Sequence, residues 1–208
     1  MKKAISIQQE VDEVSNLLRN SLRLLYERDF ELLNSLHTNF TEKKYTDKAD
    51  ELIIYTGLSY IKKIHEIALN HRMAFYLETL LCKSMEFNKY SVDIENNRNF
   101  GNCKEIEGEC FIPDILIHKR LERPDKIDNC VFTPNYLIIE AKKLARERDI
   151  VFKNSDINDI VKVNKFISSS DFNFKFGSVI TYSDSPLSLN CVLFFKIKET
   201  ICYEIVTI

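Results

Sequence analysis

Several features are scarce in this sequence, and each scarcity narrows the class of protein. The 208 residues include no Trp, only 4 Gly and only 4 Pro, which argues against an all-β sandwich with many tight turns. No apolar run approaches the roughly 18 residues that span a bilayer, so we expect no membrane partner. Neither sign of charge is in excess, because 29 basic residues stand against 31 acidic ones. The composition therefore gives no electrostatic sign of nucleic-acid binding.

The beginning of the sequence shows no signal peptide, because acidic residues follow Lys2 and Lys3 before an apolar stretch develops. We therefore predict a cytoplasmic protein. The six cysteines are widely spread, and without a signal they are best interpreted as free thiols. An apolar share of 45% is enough to bury a core, so the chain is predicted to be ordered and globular.

The hydrophobic period changes near residue 90. Before it, apolar residues recur every three or four positions and predict helices over 11–25, 30–40, 52–69 and 72–85, with Asn70 as a cap. After it, alternation predicts six strands and one further helix. The strands are predicted at Tyr90–Glu95, Ile112–His118, Tyr136–Lys142, Phe176–Tyr182, Cys191–Lys198 and Ile201–Ile208, and the helix at Asp156–Ser168.

Two of these strands carry charged residues at their ends. Asp114 stands before three apolar residues of the second strand, and Glu140 and Lys142 close the third. Because side chains alternate along a strand, Glu140 and Lys142 are predicted to share one face, about 7 Å apart. Ala141 points the other way, which leaves its carbonyl near the same place.

If these two strands are neighbours, Asp114 and Glu140 can hold one hard divalent cation together with the Ala141 carbonyl and water. The predicted ion is Mg²⁺, with Mn²⁺ as a substitute. Such an ion acidifies water and offsets charge on a phosphoryl oxygen, and Lys142 can orient the attacking water or stabilise the developing charge. The chemistry predicted from these residues is phosphodiester hydrolysis.

Each short motif also has a plain structural explanation. Asp114 can be a residue of the turn that enters a strand, and Glu140 and Lys142 can form a surface ion pair. A Glu-x-Lys triplet is common, and one occurs at Glu42 in a polar stretch with no strand before it. The triplet at Glu140 differs because it ends an apolar strand, where a buried carboxylate requires a partner.

The order of these motifs resembles that of the PD-(D/E)XK nuclease superfamily. The resemblance runs from about His71 to Tyr182. It rests on a helix carrying Glu78, the strand Tyr90–Glu95, Pro113-Asp114, Glu140-Ala141-Lys142, the helical segment Asp159–Lys162 and the strand Phe176–Tyr182.

This resemblance implies a restriction-endonuclease-like α/β (α+β) fold, an αβββαβ core with a mixed central sheet. The nuclease-like domain would span 71–208, after a helical N-terminal region over 1–70. In that family the residues matching Asp114 and Glu140 bind metal and the one matching Lys142 is catalytic. A helix Glu sometimes completes the site, which makes Glu78 a candidate ligand, with pairing to Arg72 or Lys162 as the other interpretation.

Further residues are weaker candidates. Glu95 is a possible additional acidic residue of the site or a solvent-facing strand residue. Lys143 and Arg146 lie in a segment with five basic and two acidic residues, 142–153, which can follow a phosphate backbone or form a solvated loop. Lys162 can contact phosphate or pair with Asp159.

The function predicted from the sequence is a Mg²⁺-dependent (endo)nuclease acting on DNA, with RNA left open as a substrate. The alternative is a catalytically silent nuclease-fold module for nucleic-acid binding or protein interaction. The N-terminal helices either form a homodimer or pack against the nuclease core.

Overall fold

The computed structural model describes 12 stretches of the chain: 6–29, 67–84, 89–95, 98–99, 102–103, 105–106, 108–119, 135–143, 154–170, 172, 174–182 and 190–208. The helix predicted over 30–40, most of the one predicted over 52–69, and Arg146 lie outside these residues. The cysteines described as free are Cys82, Cys191 and Cys202.

Three helices are described: α1 (Ile7–Arg28), α2 (67–83) and α3 (Asn154–Ser168). Helix α1 begins after Ser6, whose hydroxyl oxygen accepts a hydrogen bond from the Gln9 amide at 3.2 Å, as expected of an N-cap. The predicted cap at Asn70 is wrong. Asn70 lies inside α2 and is buried, and its side chain accepts a hydrogen bond from the Tyr182 hydroxyl at 3.1 Å.

All six predicted strands are present, within a few residues of the expected limits. Four further short strands form two small two-stranded sheets that were not predicted. The ten strands are β1 (Ser91–Ile94), β2 (Arg98–Asn99), β3 (Asn102–Cys103), β4 (Glu105–Ile106), β5 (Glu109–Cys110), β6 (Ile115–His118), β7 (Asn135–Lys143), β8 (Phe176–Tyr182), β9 (Asn190–Ile197) and β10 (Thr200–Ile205).

The main sheet has six strands in the order β1-β6-β7-β8-β9-β10. Strands β7 and β8 are parallel, and α3 lies between them in the chain, as the crossover of a parallel pair requires. The other four pairings are antiparallel. The fold is therefore mixed α+β, with a mostly antiparallel sheet and helices toward the N-terminus.

Helices cover both faces of this sheet. Helices α1 and α2 pack on one face in a large apolar cluster, to which β6 contributes Ile115 and Ile117. Helix α3 packs on the other face in a smaller cluster that includes Leu116 of β6 and Ile138 of β7. Successive strand residues thus point to opposite layers, as the pleat of a strand dictates. We call these surfaces the α1/α2 face and the α3 face.

The predicted domain boundary at residue 70 falls inside α2. Helix α1 lies before that boundary, yet its buried residues Val14, Leu18 and Leu22 belong to the same cluster as the strands. Among the described residues, the boundary therefore does not separate two cores. Packing of α1 against the sheet agrees with the second of the two roles considered for the N-terminal helices. In the described part of the chain, no helix combines the length and the apolar character that crossing a membrane requires.

Candidate active site

The strand register places Asp114 opposite Glu140. Strands β6 and β7 are antiparallel, and Ile115 is paired with Ile139, so one further step along the register brings Asp114 across from Glu140. Directly opposite residues of an antiparallel pair point to the same face, with their Cβ atoms about 5 Å apart. Strand β6 begins at Ile115, later than predicted, because Pro113 has no amide hydrogen to donate to the ladder.

Asp114 is half-buried and is held by the backbone of β7. Its Oδ2 accepts a hydrogen bond from the Ala141 amide at 2.7 Å. Burial raises the pKa of the Asp114 carboxyl, while the Ala141 amide and the charge of Lys162 act in the opposite direction. The amide and the carbonyl of one strand residue point to the same side, so the Ala141 carbonyl is also directed toward the Asp114 side of β7.

Glu140 is the most buried charged residue of the site, with 4% of its surface exposed. Its Oε2 accepts a hydrogen bond from Lys162 Nζ at 2.8 Å. Its Oε1 is buried and has no hydrogen-bond partner among the described residues. Burial raises the pKa of Glu140 to about 8, although the nearby Lys162 ammonium lowers it. Oε1, which has no hydrogen-bond partner among the described residues, is available for a further cation.

Lys142 lies on the same face as Glu140, as predicted from strand alternation. Its Nζ forms an ion pair with Oδ2 of Asp159 at 2.6 Å. A third of the Lys142 side chain is exposed. The ammonium can therefore be reached from solvent while α3 limits its position.

Helix α3 supplies two charged side chains that face β7. Asp159 and Lys162 are three residues apart, so they lie on one side of the helix. Lys162 contacts Glu140, and it also donates a hydrogen bond to the Ile112 carbonyl at 3.1 Å. Of the two interpretations of Lys162, a pair with Asp159 is wrong, because Lys162 pairs with Glu140 and Asp159 with Lys142. The apolar residues of this helix indicate that Asp159 lies on its inner side, where the structure shows it buried.

Glu78 is not part of this group and is removed from the set of candidate ligands. It is exposed on α2, which packs on the α1/α2 face, whereas Asp114 and Glu140 lie on the α3 face. Of the two partners proposed for Glu78, Arg72 pairs with Asp29 and Lys162 pairs with Glu140. The helix period identified α2 correctly but carries no information on which face of the sheet it covers.

Glu95 follows β1, and its backbone is hydrogen-bonded to that of Asp114. Its amide donates a hydrogen bond to the Asp114 carbonyl at 3.1 Å, and its negative charge contributes to raising the pKa of Asp114. Glu95 is exposed, at the edge of the site. Lys143 ends β7, but its side chain, like all of Arg146, lies outside the described residues.

The donor atoms of this site suit a hard divalent cation. Asp114 and Glu140 lie one step beyond the Ile115–Ile139 pair of neighbouring strands, and Glu140 has a buried oxygen without a hydrogen-bond partner in the described part of the chain. A backbone carbonyl, that of Ala141, is directed to the same side, and carboxylate and carbonyl oxygens are the ligands that such cations prefer. No group of three or more His, Cys, Asp or Glu that could hold a metal occurs within the described stretches. The protein would thus supply two carboxylate ligands and the Ala141 carbonyl, and water the remainder.

No protein-family model, curated protein or solved structure matches this chain. The chemistry of the site must therefore be inferred from its own residues.

Proposed function

We propose that this chain is a metal-dependent nuclease of the PD-(D/E)XK type that hydrolyses phosphodiester bonds, in DNA before RNA. The observation that carries the proposal is the placement of Asp114 opposite Glu140, with Lys142 two residues further along the same face. Two carboxylates and one lysine on adjacent strands are the residue set that the resemblance to this superfamily implies for metal-dependent hydrolysis.

The order of elements supports a restriction-endonuclease-like core. Helix α2, strands β1, β6 and β7, helix α3 and strand β8 follow one another as αβββαβ when the short strands β2–β5 are set aside. The four strands of this series are consecutive neighbours in a mixed sheet. The candidate residues lie where its second and third strands meet.

Asp114, Glu140 and the Ala141 carbonyl are the groups that would hold Mg²⁺ or Mn²⁺. When bound, such an ion supplies positive charge that acidifies water and stabilises negative charge on a phosphoryl oxygen. The Ala141 amide fixes the Asp114 carboxylate through its Oδ2. This contact orients the carboxylate before any ion or substrate arrives.

Lys142 is the residue that would act on the reacting groups. Its exposed third allows the ammonium to reach a phosphate at the surface, where it would stabilise charge that develops on a phosphoryl oxygen or orient a water molecule. Asp159 limits the positions that the ammonium can take. A fixed donor is more effective than a mobile one because no reorganisation is needed during the reaction.

A catalytically silent binding module is the second candidate. The observation in its favour is that the charged groups compensate each other: Lys142 is paired with Asp159, Lys162 with Glu140, and Asp114 with a backbone amide. Charge compensation of this kind also stabilises a fold without catalysis. The two candidates differ in whether hydrolysis occurs.

Hydrolysis of supercoiled plasmid, single-stranded DNA and RNA with Mg²⁺ or Mn²⁺ tests the proposal. We expect cleavage by the natural chain and a loss of about 100-fold or more in Asp114→Ala and Lys142→Ala, since each removes a group that acts on the transition state. Lys196→Ala is the matched control, because Lys196 pairs with the exposed Glu199 at 3.2 Å in the β9–β10 turn.

Equal cleavage by the natural chain and both site variants would contradict the proposal, as would no cleavage by any of the proteins. Binding of DNA without cleavage would favour the silent module instead.

A further inference from the structure

Two ion pairs connect β7 to α3 in crossed order. Along β7 the acidic Glu140 precedes the basic Lys142, and along α3 the acidic Asp159 precedes the basic Lys162. Glu140 pairs with Lys162 at 2.8 Å and Lys142 with Asp159 at 2.6 Å. The strand and the helix thus present complementary charges to each other on the α3 face.

We propose that Lys162 is a further residue of this site, a positioning residue whose ammonium neutralises Glu140 until a divalent cation takes its place there. The inference rests on the proposed function, because it concerns the same two carboxylates. Metal loading is then an exchange of cations at Glu140, and α3 carries the cation that leaves.

Once ionised, the buried Glu140 carboxylate requires a counter-ion, both before and after a divalent cation binds. A buried carboxylate without a counter-ion is strongly unfavourable, and Lys162 is the cation that contacts it in the structure. Lys162 contacts Oε2, whereas Oε1 is free of hydrogen bonds from the described residues. A divalent ion at this carboxylate would lie close to the ammonium, and the two positive charges would repel each other.

Lys162 has other contacts that can retain it after it leaves Glu140. Its ammonium donates a hydrogen bond to the Ile112 carbonyl at 3.1 Å and lies 5.9 Å from the centre of the Phe111 ring. A carbonyl oxygen and an aromatic face both stabilise an ammonium. The exchange therefore does not leave a buried lysine without partners, which lowers the free energy that the incoming ion must supply.

Calcium affinity measured by calorimetry tests the exchange without depending on hydrolysis. We compare the natural chain with Lys162→Met and Lys162→Arg in the same buffer and at the same pH. Removing the competing charge is expected to tighten Ca²⁺ binding by about tenfold or more. Lys162→Arg keeps the charge and is expected to bind like the natural chain.

Lys196→Met is the control for a general change in charge, since it removes one positive charge from an exposed pair away from the site. It is expected to leave Ca²⁺ affinity unchanged. Unchanged or weaker binding in Lys162→Met would overturn the inference, and so would the absence of Ca²⁺ binding in both proteins.

A second measurement uses the natural chain, so it does not depend on whether Lys162→Met folds. The side-chain ammonium signal of Lys162 is observed by NMR with ¹⁵N-labelled lysine and assigned with Lys162→Arg. We expect this signal to shift on Ca²⁺ addition with the midpoint found by calorimetry, while that of Lys196 stays in place. A Lys162 signal that does not move while Ca²⁺ binds would overturn the exchange.

These outcomes separate the inference from the proposed function. Cation exchange without hydrolysis would refute the nuclease and leave Lys162 in its role. Hydrolysis that depends on Asp114 and Lys142, with no change of Ca²⁺ affinity in Lys162→Met, would retain the nuclease and remove Lys162 from its metal chemistry.

Discussion

The two faces of the central sheet use the same strands for different purposes. The α1/α2 face is a large apolar cluster whose buried polar groups are neutral, such as Ser178 and Asn70. The α3 face has a smaller apolar cluster, and beside it lie the buried acidic residues Glu140 and Asp159, with 4% and 8% exposure. The comparison indicates that the α1/α2 face mainly stabilises the fold. The α3 face has less apolar packing at its edge, where charged side chains lie instead.

Ile117 on the α1/α2 face tests this division most strongly. It is fully buried, whereas Ile205 in β10 is a strand isoleucine with 64% exposure. Ile117→Ala is expected to lower the free energy of unfolding by about 2–5 kcal/mol, because it removes packed atoms and leaves a cavity. Ile205→Ala is expected to change it by less than about 0.5 kcal/mol. Urea unfolding of the two variants measures the difference, and equal losses would contradict the assignment of this face as the main core.

Gly177 in β8 tests how closely α3 must approach the sheet. A Cβ atom at this position would lie 2.3 Å from Val163 Cγ1 and 2.8 Å from Ile167 Cδ1, both on α3. Gly177→Ala is expected to destabilise the chain by about 1–3 kcal/mol through overpacking. Because α3 carries Asp159 and Lys162, the variant is also expected to lose hydrolysis per folded molecule.

Gly108 is the control for this substitution. It has a φ of +85° and no atom within 4 Å of a Cβ, so Gly108→Ala introduces backbone strain of about 1 kcal/mol without a packing clash. Hydrolysis should be unaffected in this variant. Full activity and stability in Gly177→Ala would show that the spacing between α3 and β8 is not restrictive.

Glu140 makes the stability of the metal-free chain depend on pH. Its pKa is raised to about 8, so between roughly pH 4.5 and 8 the folded state holds a proton that the unfolded state has lost. Stability from this group is present at low pH and decreases as the pH rises through that window, by at most about 1.4 kcal/mol per pH unit. Glu140→Gln is expected to remove this slope.

Urea unfolding at intervals of one pH unit, with a chelator present, measures the slope in the natural chain and in the variant. Glu199→Gln is the control, because Glu199 is almost fully exposed and should leave the slope unchanged. Parallel slopes in the natural chain and Glu140→Gln would show that Glu140 is ionised throughout the window and that the α3 face tolerates its charge.

Local periodicity predicted most of the regular structure. The limits of β8 agree with the prediction to the residue, and those of α3 agree at its end, Ser168. The pairs β2–β3 and β4–β5 were missed because strands of two residues show no alternation. The prediction of a cap at Asn70 rests on the frequency of asparagine at helix ends. In the structure its side chain accepts a hydrogen bond from Tyr182, 112 residues away.

Local sequence patterns also predicted part of the candidate site. Asp114 and Glu140 could be identified because each interrupts an apolar strand, and an interruption of that kind is visible locally. The partners Asp159 and Lys162 could not be assigned, since an ion pair between a strand and a helix depends on how the two elements pack. Glu78 shows the opposite error, in which a suitable residue type lies on a helix that covers the other face.

The amino-acid sequence was sufficient to place Glu140 and Lys142 on one face, because side chains alternate along any strand whatever surrounds it. The tertiary structure was needed to show that α3 covers this face, that Lys162 pairs with Glu140, and that the register of β6 and β7 brings Asp114 across from Glu140. These placements join residues 22 and 26 positions apart, so they depend on strand register and layer packing, which no local period specifies.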